Sequence, residues 1–427
     1  MFRTRTRIAA VMVATMIAGT LAACGDSAGD GKVTISFWSH THPPMIELNK
    51  TLIAEYTKQN PNVRVDYQTI PNNEFNTKML TALSTGSGPD VINMDDSALR
   101  GEYIPKRLLA KIDPSAFGVG SLDELTGRYN PGTLDGAKGP DGALYGVPSE
   151  FNGTAFVINT KHFTDAGLDP EKPPTTWDEV TTQGRALIAA GHAQAFSFLY
   201  LHSGWYSQQL QTLLNQTGGQ LADGKQARVD SPDSVAALKI WTDLARGANK
   251  VADPNATSRE ATQPFQDLAS GKQSMAIVYP WSMELIRQTN PDTYKQLKVV
   301  PLPHVAGKQA TNRWYGYYWS VNNASKQQKE AWKFIAFLAS NSARWLADVD
   351  FVQPLKGWTD TPAAKEIPAL DVWAKSYETG RFDQVTPHYA EVQDALTTMV
   401  NDAVFNGVPP QDAARKAAET MNRILRD

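Results

Sequence analysis

The chain has 427 residues, of which 41% are hydrophobic and 9% aromatic, and its formal net charge is −3 at pH 7. This composition is typical of a well-packed globular protein, and the net charge excludes an overall electrostatic bias toward nucleic acid. The single cysteine excludes a disulfide framework, so stability has to come from a sizeable core. The length predicts two or three domains.

Residues 1–23 have the layout of a lipoprotein signal peptide. Three arginines among the first seven residues precede an apolar run over residues 8–21, which is shorter than the roughly 20 residues of a membrane-spanning helix. The tetrapeptide LAAC, which ends at Cys24, resembles the bacterial lipobox, whose cysteine takes a diacylglycerol. We therefore predict a mature chain with a lipid anchor at Cys24. The alternative is an ordinary secretory cleavage site with a chance cysteine.

Residues 24–32 are predicted to form a flexible tether, because this segment is polar and rich in glycine. Gly25–Gly29 spells G-x-S-x-G, the pattern of a hydrolase nucleophile elbow. That elbow needs a strand before the serine and a helix after it, and the sequence predicts neither. The match is therefore interpreted as fortuitous.

From residue 33 onward, strand patterns alternate with helix patterns. The apolar periodicity predicts strands at Val33–Trp38, Val63–Tyr67 and Pro89–Met94, with helices at Met45–Gln59 and Phe75–Ser84 between them. Strands that alternate with helices pair in parallel, so this region is predicted to be an α/β domain.

A second region of the same kind follows residue 148. Its predicted strands are Thr154–Ile158 and Ser274–Tyr279, and its predicted helices cover residues 177–190, 205–216, 234–248 and 264–270. Residues 141–152 and 302–316 are rich in glycine, proline, asparagine and charge. We interpret them as segments that pass between two lobes.

A series of motifs makes the chain similar to a known family. They are TISFW at 34–38, GSGPDVINMDD at 86–96, ALYGVPSEFNGTAFVINT at 143–160, TTWDEV at 175–180, LASGKQSMAIVYPW at 268–281, VVPLP at 299–303 and VPPQDAARKAAETMNRIL at 408–425. In this order, behind a lipobox, they resemble the carbohydrate-type extracellular solute-binding lipoproteins of ABC importers, a family similar to the maltose-binding protein. The resemblance covers nearly the whole mature chain.

The resemblance implies the two-lobe, type II periplasmic-binding-protein-like α/β fold, with a ligand cleft between lobes joined by a multi-segment hinge. The first lobe is expected to comprise residues 33–148 and 316–350, and the second residues 149–315 and 351–427. The implied partners are a small carbohydrate and the permease subunits of an ABC transporter, and the implied state is a monomer without a cofactor. The expected location is the extracytoplasmic face of the bacterial membrane.

Polar candidates for ligand binding follow predicted strands. Asp95 and Asp96 lie at the carboxyl end of a predicted parallel strand, where α/β sheets bind ligands, and the family supplies a carboxylate there. Asp96 is the first choice, with a helix N-cap as the alternative role. Glu150 and Asn152 occupy a predicted crossing segment where the family has polar contacts, although solvated loop polarity would explain them equally.

Histidine and aromatic candidates complete the predicted site. His40, after the first predicted strand, lies where relatives contact the ligand, and a metal site with His42 is not expected because further ligands are missing. Trp205 and Trp281 resemble stacking positions of the family, with core packing as the alternative for each. A further set lies at the second crossing: Gly316, Tyr317 and Tyr318, of which glycine allows close ligand approach and one tyrosine faces the cleft. His388 and Tyr389 are weaker candidates.

Two other functions remain open from the sequence. A polar non-sugar ligand such as a glycerophosphodiester is an alternative, because relatives of the family bind such molecules. A secreted glycoside hydrolase, with Asp96 and Glu150 as its paired carboxyls, is the alternative from the enzyme class.

Overall fold

The computed structural model describes residues 32–192, 194–198, 203–252 and 263–426. The predictions for the signal peptide, for Cys24 and for Gly25–Gly29 lie outside these residues. The helices are α1 Pro43–Gln59, α2 Asn72–Ser84, α3 Asp96–Ala98, α4 Leu122–Thr126, α5 Thr160–Asp165, α6 Trp177–Ala189, α7 Ser203–Thr217, α8 Pro232–Ala245, α9 Gln263–Ala269, α10 Pro280–Thr289, α11 Pro291–Tyr294, α12 Gln328–Ser340, α13 Ser342–Val349, α14 Pro362–Lys365, α15 Leu370–Thr379, α16 Tyr389–Val400 and α17 Pro410–Ile424.

The strands form two larger sheets and one short ribbon in the described part of the chain. Their bounds are β1 Val33–His40, β2 Val63–Ile70, β3 Val91–Asp95, β4 Gly146–Gly153, β5 Ala155–Asn159, β6 Gln194–Ser197, β7 Ala222–Asp223, β8 Gln226–Ala227, β9 Gln273–Val278, β10 Leu297–Val300, β11 Asn312–Val321 and β12 Gly380–Phe382. The ribbon pairs β7 with β8.

The first sheet has the order β12-β11-β3-β1-β2, and β4 also pairs with β11. β1 runs parallel to β2 and β3, as expected where helices α1 and α2 connect the strands. β11 runs antiparallel to both β3 and β4, so the long strand over residues 312–321 joins the parallel part of the sheet to the segment that leads into the second sheet.

The second sheet has the order β10-β5-β9-β6, with β5 antiparallel to both neighbours and β6 parallel to β9. Helix α6, which covers this sheet, begins at a capping box in which Thr176 and Glu179 satisfy each other's backbone N–H groups. No helix within the described ranges combines the length and the apolar character needed to cross a bilayer.

Separate hydrophobic cores support the two sheets. α1, α12 and α13 pack with β1 in the core of the first sheet, which contains Trp319, Trp332 and Trp345. α16 and α17 pack with α6, α7 and α8 in the core of the second sheet around Trp241. A third cluster, with Phe151, Tyr279, Tyr315 and Trp373 among its members, lies where the two sheets approach each other.

The predicted α/β architecture is confirmed, and all predicted strands and helices correspond to observed elements within a few residues. Several observed strands were not predicted as such, and two of them, β4 and β12, bear on the candidate site. β4 lies in a segment interpreted as a link, although all eight of its residues are buried. β12, inside the range predicted for the second lobe, pairs with β11 at the edge of the first sheet.

Candidate functional site

Three acidic and aromatic side chains form a row across three neighbouring strands. Tyr317 on β11 is in register with Asp95 at the end of β3 and with Glu150 on β4. Residues that oppose each other in an antiparallel pair project from the same side of the sheet. Asp95, Tyr317 and Glu150 therefore share one face, together with the next opposed pair, Tyr315 and Asn152. We call these five residues the shared face.

His40 ends β1 beside the shared face. Its imidazole lies 4.3 Å from the Tyr317 ring, centroid to centroid, and 5.9 Å from the Phe75 ring. Burial and, to a lesser degree, His42 lower the pKa of His40 to about 3, so this imidazole is neutral at physiological pH. Its Nδ1 atom is buried without a hydrogen-bond partner, and it can therefore donate to or accept from a bound group.

The two carboxyls of the shared face are poorly solvated. Burial raises the pKa of Glu150 to about 7, although Asn152 donates a 2.6 Å hydrogen bond to its Oε1 atom. Burial and the neighbouring Asp96 raise the pKa of Asp95 to about 6, although its Oδ1 atom accepts a hydrogen bond from the Ala98 N–H. A ligand hydroxyl that donates a hydrogen bond to such a carboxylate stabilises its ionised form.

An aromatic group continues the site toward the second sheet. Trp281, near the start of α10, donates from Nε1 to the Tyr315 hydroxyl over 2.5 Å. Its ring is parallel to that of Tyr279, with centroids 5.7 Å apart, and Tyr279 meets Tyr315 edge to face at 5.3 Å. Trp281 is only partly buried, so part of its indole is free to stack on another flat apolar surface.

Asp96 is engaged within the protein. Its Oδ1 atom accepts a hydrogen bond from the Gly316 N–H at 3.0 Å, and its Oδ2 atom pairs with Arg100 at 2.5 Å. Its side chain is about 1% exposed. The N-cap of α3 is Asp95 rather than Asp96, since Asp95 accepts from the backbone N–H of Ala98. Asp96 therefore joins β3 to β11.

Gly316 and Tyr318 lie on the side of β11 opposite to the shared face. A Cβ atom at residue 316 would lie 2.8 Å from the Glu150 carbonyl oxygen and 3.2 Å from the Tyr318 ring. Close packing therefore leaves no room for a side chain, which explains why glycine occupies this position. Tyr318 is fully buried, and its hydroxyl donates to the Thr133 carbonyl at 2.6 Å. The register shifts between Tyr317 and Tyr318, and only Tyr317 is partly exposed.

The remaining predicted residues are placed as follows. Trp205 lies in α7, as expected for the start of a helix, but its side chain is outside the described residues. His42 caps α1, because its Nδ1 atom accepts from the Met45 N–H. Tyr389 begins α16 and packs against Gly101. In the described ranges, no three histidine, cysteine or acidic side chains are grouped so that they could hold a metal.

The sequence did not reveal an ion pair next to the shared face. Arg313, also on β11, donates from Nε and Nη2 to the two carboxylate oxygens of Asp383, each over 2.7 Å. Its guanidinium lies 5.1 Å from the centroid of the Tyr315 ring. Arg313, Tyr315 and Tyr317 are every second residue of β11, so their side chains project from the same side of the strand. This alternation was the one sequence signal that could have identified Arg313.

Comparison with known proteins gives the family. The model of the family described as bacterial extracellular solute-binding protein matches residues 43–345. The lactose-binding protein of Rhizobium radiobacter is 25% identical over 78% of this chain and 74% of its own. The maltotriose-binding protein of Pyrococcus abyssi is 23% identical over 88% and 78%. The sn-glycerol-3-phosphate-binding periplasmic protein of Escherichia coli is 24% identical over 92% of both.

Solved structures show the same fold. Maltose-bound MalE3 of T. maritima superposes with a TM-score of 0.80 at 22% identity, over 92% of this chain and 99% of that one. The GacH receptor of Streptomyces glaucescens gives a TM-score of 0.79 at 19% identity, over 92% and 98%. The fold is thus the two-lobe, type II periplasmic-binding fold, and its relatives are solute-binding proteins with an extracytoplasmic location. The chain belongs to the bacterial extracellular solute-binding proteins, the family that serves ABC transporters.

Proposed function

We propose that this protein binds an uncharged sugar or oligosaccharide outside the cytoplasm and delivers it to an ABC permease by closing its two lobes around the ligand. The shared face is the observation that carries the proposal. It offers carboxylates and an amide for hydroxyl groups, and Trp281 beside it offers a flat apolar surface for sugar C–H groups. We further propose lobes bounded at residues 33–148 with 316–350 and 149–315 with 351–427.

The charges at the site favour an uncharged ligand over a glycerophosphodiester. Arg313 is neutralised by Asp383, and Arg100 by Asp96. The acids Asp95 and Glu150 remain, and they would repel a phosphate. Because one relative is an sn-glycerol-3-phosphate-binding protein, this second candidate ligand is included in the experiment.

Calorimetric titration of the mature protein against lactose, maltotriose and sn-glycerol-3-phosphate tests the proposal. We expect saturable binding of at least one sugar, with an affinity in the micromolar range or tighter, and no binding of the phosphate. Binding of the phosphate alone would contradict the proposed ligand class. Chromatography of the incubated sugars tests the proposed absence of catalysis, because the appearance of smaller products would assign a glycoside hydrolase instead.

We also propose that Cys24 carries the lipid anchor and that the protein is a monomer. Replacement Cys24→Ser should release the protein from the membrane fraction, because a thioether link to diacylglycerol cannot form, while sugar binding is retained. Full membrane retention of the variant would contradict the anchor. Light scattering of the released protein measures the mass, and a dimer mass would contradict the monomer.

A further inference from the structure

The indole of Trp281 is in contact with three aromatic side chains. Its Nε1–H donates to the Tyr315 hydroxyl over 2.5 Å. The Tyr279 ring is stacked parallel to the indole, with centroids 5.7 Å apart, and the Phe265 ring meets it edge to face at 5.2 Å. Phe265, Tyr279 and Tyr315 are buried, whereas Trp281 is only partly buried. Buried rings therefore support the indole, and its exposed part is left for contact with a ligand.

Of these three contacts, the hydrogen bond from Trp281 to Tyr315 is the directional one. Ring contacts tolerate a range of orientations, whereas a hydrogen bond requires its donor and acceptor to align. The indole has one polar atom, Nε1, and this atom only donates. The Tyr315 hydroxyl therefore fixes the rotation of the indole. It also occupies the one donor through which Trp281 could bind a ligand hydroxyl, so the contact that remains to the ligand is apolar.

The Tyr315 ring is itself held in place. The Arg313 guanidinium lies 5.1 Å from the centroid of this ring, a distance at which a cation attracts an aromatic face. Asp383 holds the guanidinium through two hydrogen bonds of 2.7 Å each. Tyr279 meets Tyr315 edge to face at 5.3 Å. The hydroxyl that accepts from the indole is thus placed by contacts that begin at the ion pair of Asp383 with Arg313.

The hydrogen bond also joins the two sheets. Trp281 belongs to α10, which follows β9 of the second sheet, and Tyr315 is on β11 of the first. Tyr315 and Tyr317 project from the same side of β11. The bond therefore sets the orientation of the indole relative to the row of Asp95, Tyr317 and Glu150. A ligand that contacts both does not have to order the indole on binding, which favours affinity.

We propose that Tyr315 is a positioning residue of the sugar site, which fixes the indole of Trp281 for stacking and does not itself bind the sugar. This inference rests on the proposed function and specifies it. The sugar should present a flat face of C–H groups to Trp281, and no sugar hydroxyl should accept from its Nε1 atom. Tyr315 then affects affinity only through Trp281.

A double-mutant cycle tests this dependence by calorimetry with lactose and maltotriose. Tyr315→Phe keeps the ring but removes the acceptor for the indole N–H, so affinity for the sugar that wild type binds should fall about threefold to tenfold. In the Trp281→Phe background, which has no N–H to position, the same replacement should change affinity by less than about twofold. An equal loss in both backgrounds would overturn the inference, because Tyr315 would then bind the sugar directly. No loss in either background would overturn it as well.

Tyr377→Phe is the matched control. The Tyr377 hydroxyl donates to the Phe151 carbonyl at 3.0 Å, so this variant also removes the hydrogen bond of a buried tyrosine from the third hydrophobic cluster. We expect a lower melting temperature and an unchanged sugar affinity. A loss of affinity equal to that of Tyr315→Phe would contradict positioning, because a general loosening of the cluster would explain both.

The indole N–H resonance of Trp281 tests the positioning without a sugar. In protein with isotope-labelled tryptophan, the resonance that disappears in Trp281→Phe identifies it. In Tyr315→Phe this resonance should shift and its proton should exchange faster with water, because the N–H has lost its acceptor. Tyr377→Phe should leave it unchanged.

The resonance separates failure of this inference from failure of the proposed function. An unchanged Trp281 resonance in Tyr315→Phe would overturn the positioning role even where wild type binds a sugar. A shifted resonance in a protein that binds neither sugar would support the fixed indole and contradict only the proposed function.

Discussion

Glu150 combines burial with a negative charge at the centre of the shared face, and this makes the protein sensitive to pH. Its pKa of about 7 lies above its ordinary value of 4.5, so the folded state holds its proton more tightly than the unfolded state does. The free energy of unfolding therefore decreases as pH rises from about 4.5 to 7. Asp95 acts in the same direction with a pKa of about 6.

Sugar binding should depend on pH in the opposite sense. Ionised carboxylates accept more hydrogen bonds from hydroxyl groups than protonated ones do, so we expect affinity to fall several-fold between pH 8 and pH 5.5. Titration calorimetry and melting curves across this range measure both effects. Glu150→Gln should make both profiles shallower, leaving the contribution of Asp95, and raise the free energy of unfolding at pH 8 by about 1–3 kcal/mol. A binding profile identical to that of wild type would show that Glu150 does not contribute to the pH dependence.

Trp281 should matter for binding more than for stability. It is partly buried, so Trp281→Ala should weaken sugar binding at least tenfold while reducing the free energy of unfolding by about 1–3 kcal/mol. Trp332→Ala, in the core of the first sheet, is the matched control and should cost about 3–5 kcal/mol without changing the affinity of the folded protein. Normal binding by folded Trp281→Ala would refute stacking at this position.

At single positions, the sequence nominated residues that the structure places on one face of the sheet, and their roles in binding stay predictions. Family motifs and strand ends marked Asp95, Glu150, Asn152 and Tyr317 as separate candidates, and the pairing of β3, β11 and β4 brings these four to one face. The sequence preferred Asp96 to Asp95, because which of two adjacent carboxylates turns inward depends on Arg100 and on the Gly316 N–H, both of which are brought there by the fold.

The pairing of β4 with β11 brings the residues of the candidate site together. β4 contains glycine, proline, serine, glutamate and asparagine, a composition that favours a loop. It is a strand because burial between β11 and the third hydrophobic cluster leaves its backbone no alternative to sheet hydrogen bonds. The sequence predicted the outer elements well, because amphipathic periodicity marks them, whereas a fully buried polar strand has no such period.

Gly316→Ala tests this pairing. The added Cβ would lie 2.8 Å from the Glu150 carbonyl, so β4 and β11 have to separate. We expect a loss of about 1–3 kcal/mol in the free energy of unfolding, together with weaker sugar binding because the row of Asp95, Tyr317 and Glu150 is disturbed. Gly120→Ala, whose Cβ would be 3.8 Å from its nearest neighbour, is the control and should change stability by less than about 0.5 kcal/mol. Equal effects of the two variants would contradict this account of β4.

In the whole molecule, the candidate binding groups come from both sheets, so a ligand is expected to stabilise a closed arrangement of the lobes. Asp95 and Tyr317 belong to the first sheet, whereas Trp281 follows the last residue of β9 in the second. A ligand that contacts both lobes better in the closed state shifts the population toward that state. Small-angle scattering should show a smaller radius of gyration with saturating sugar, and an unchanged radius would indicate a rigid site.

The crystal structure of the mature protein with the sugar that binds in calorimetry tests the central claim most directly. We predict that the sugar lies against the row of Asp95, Tyr317 and Glu150, with hydroxyl groups within hydrogen-bond distance of a carboxylate and one ring face on Trp281. Contacts should come from both lobes. A sugar bound to one lobe alone, away from this row, would contradict the account.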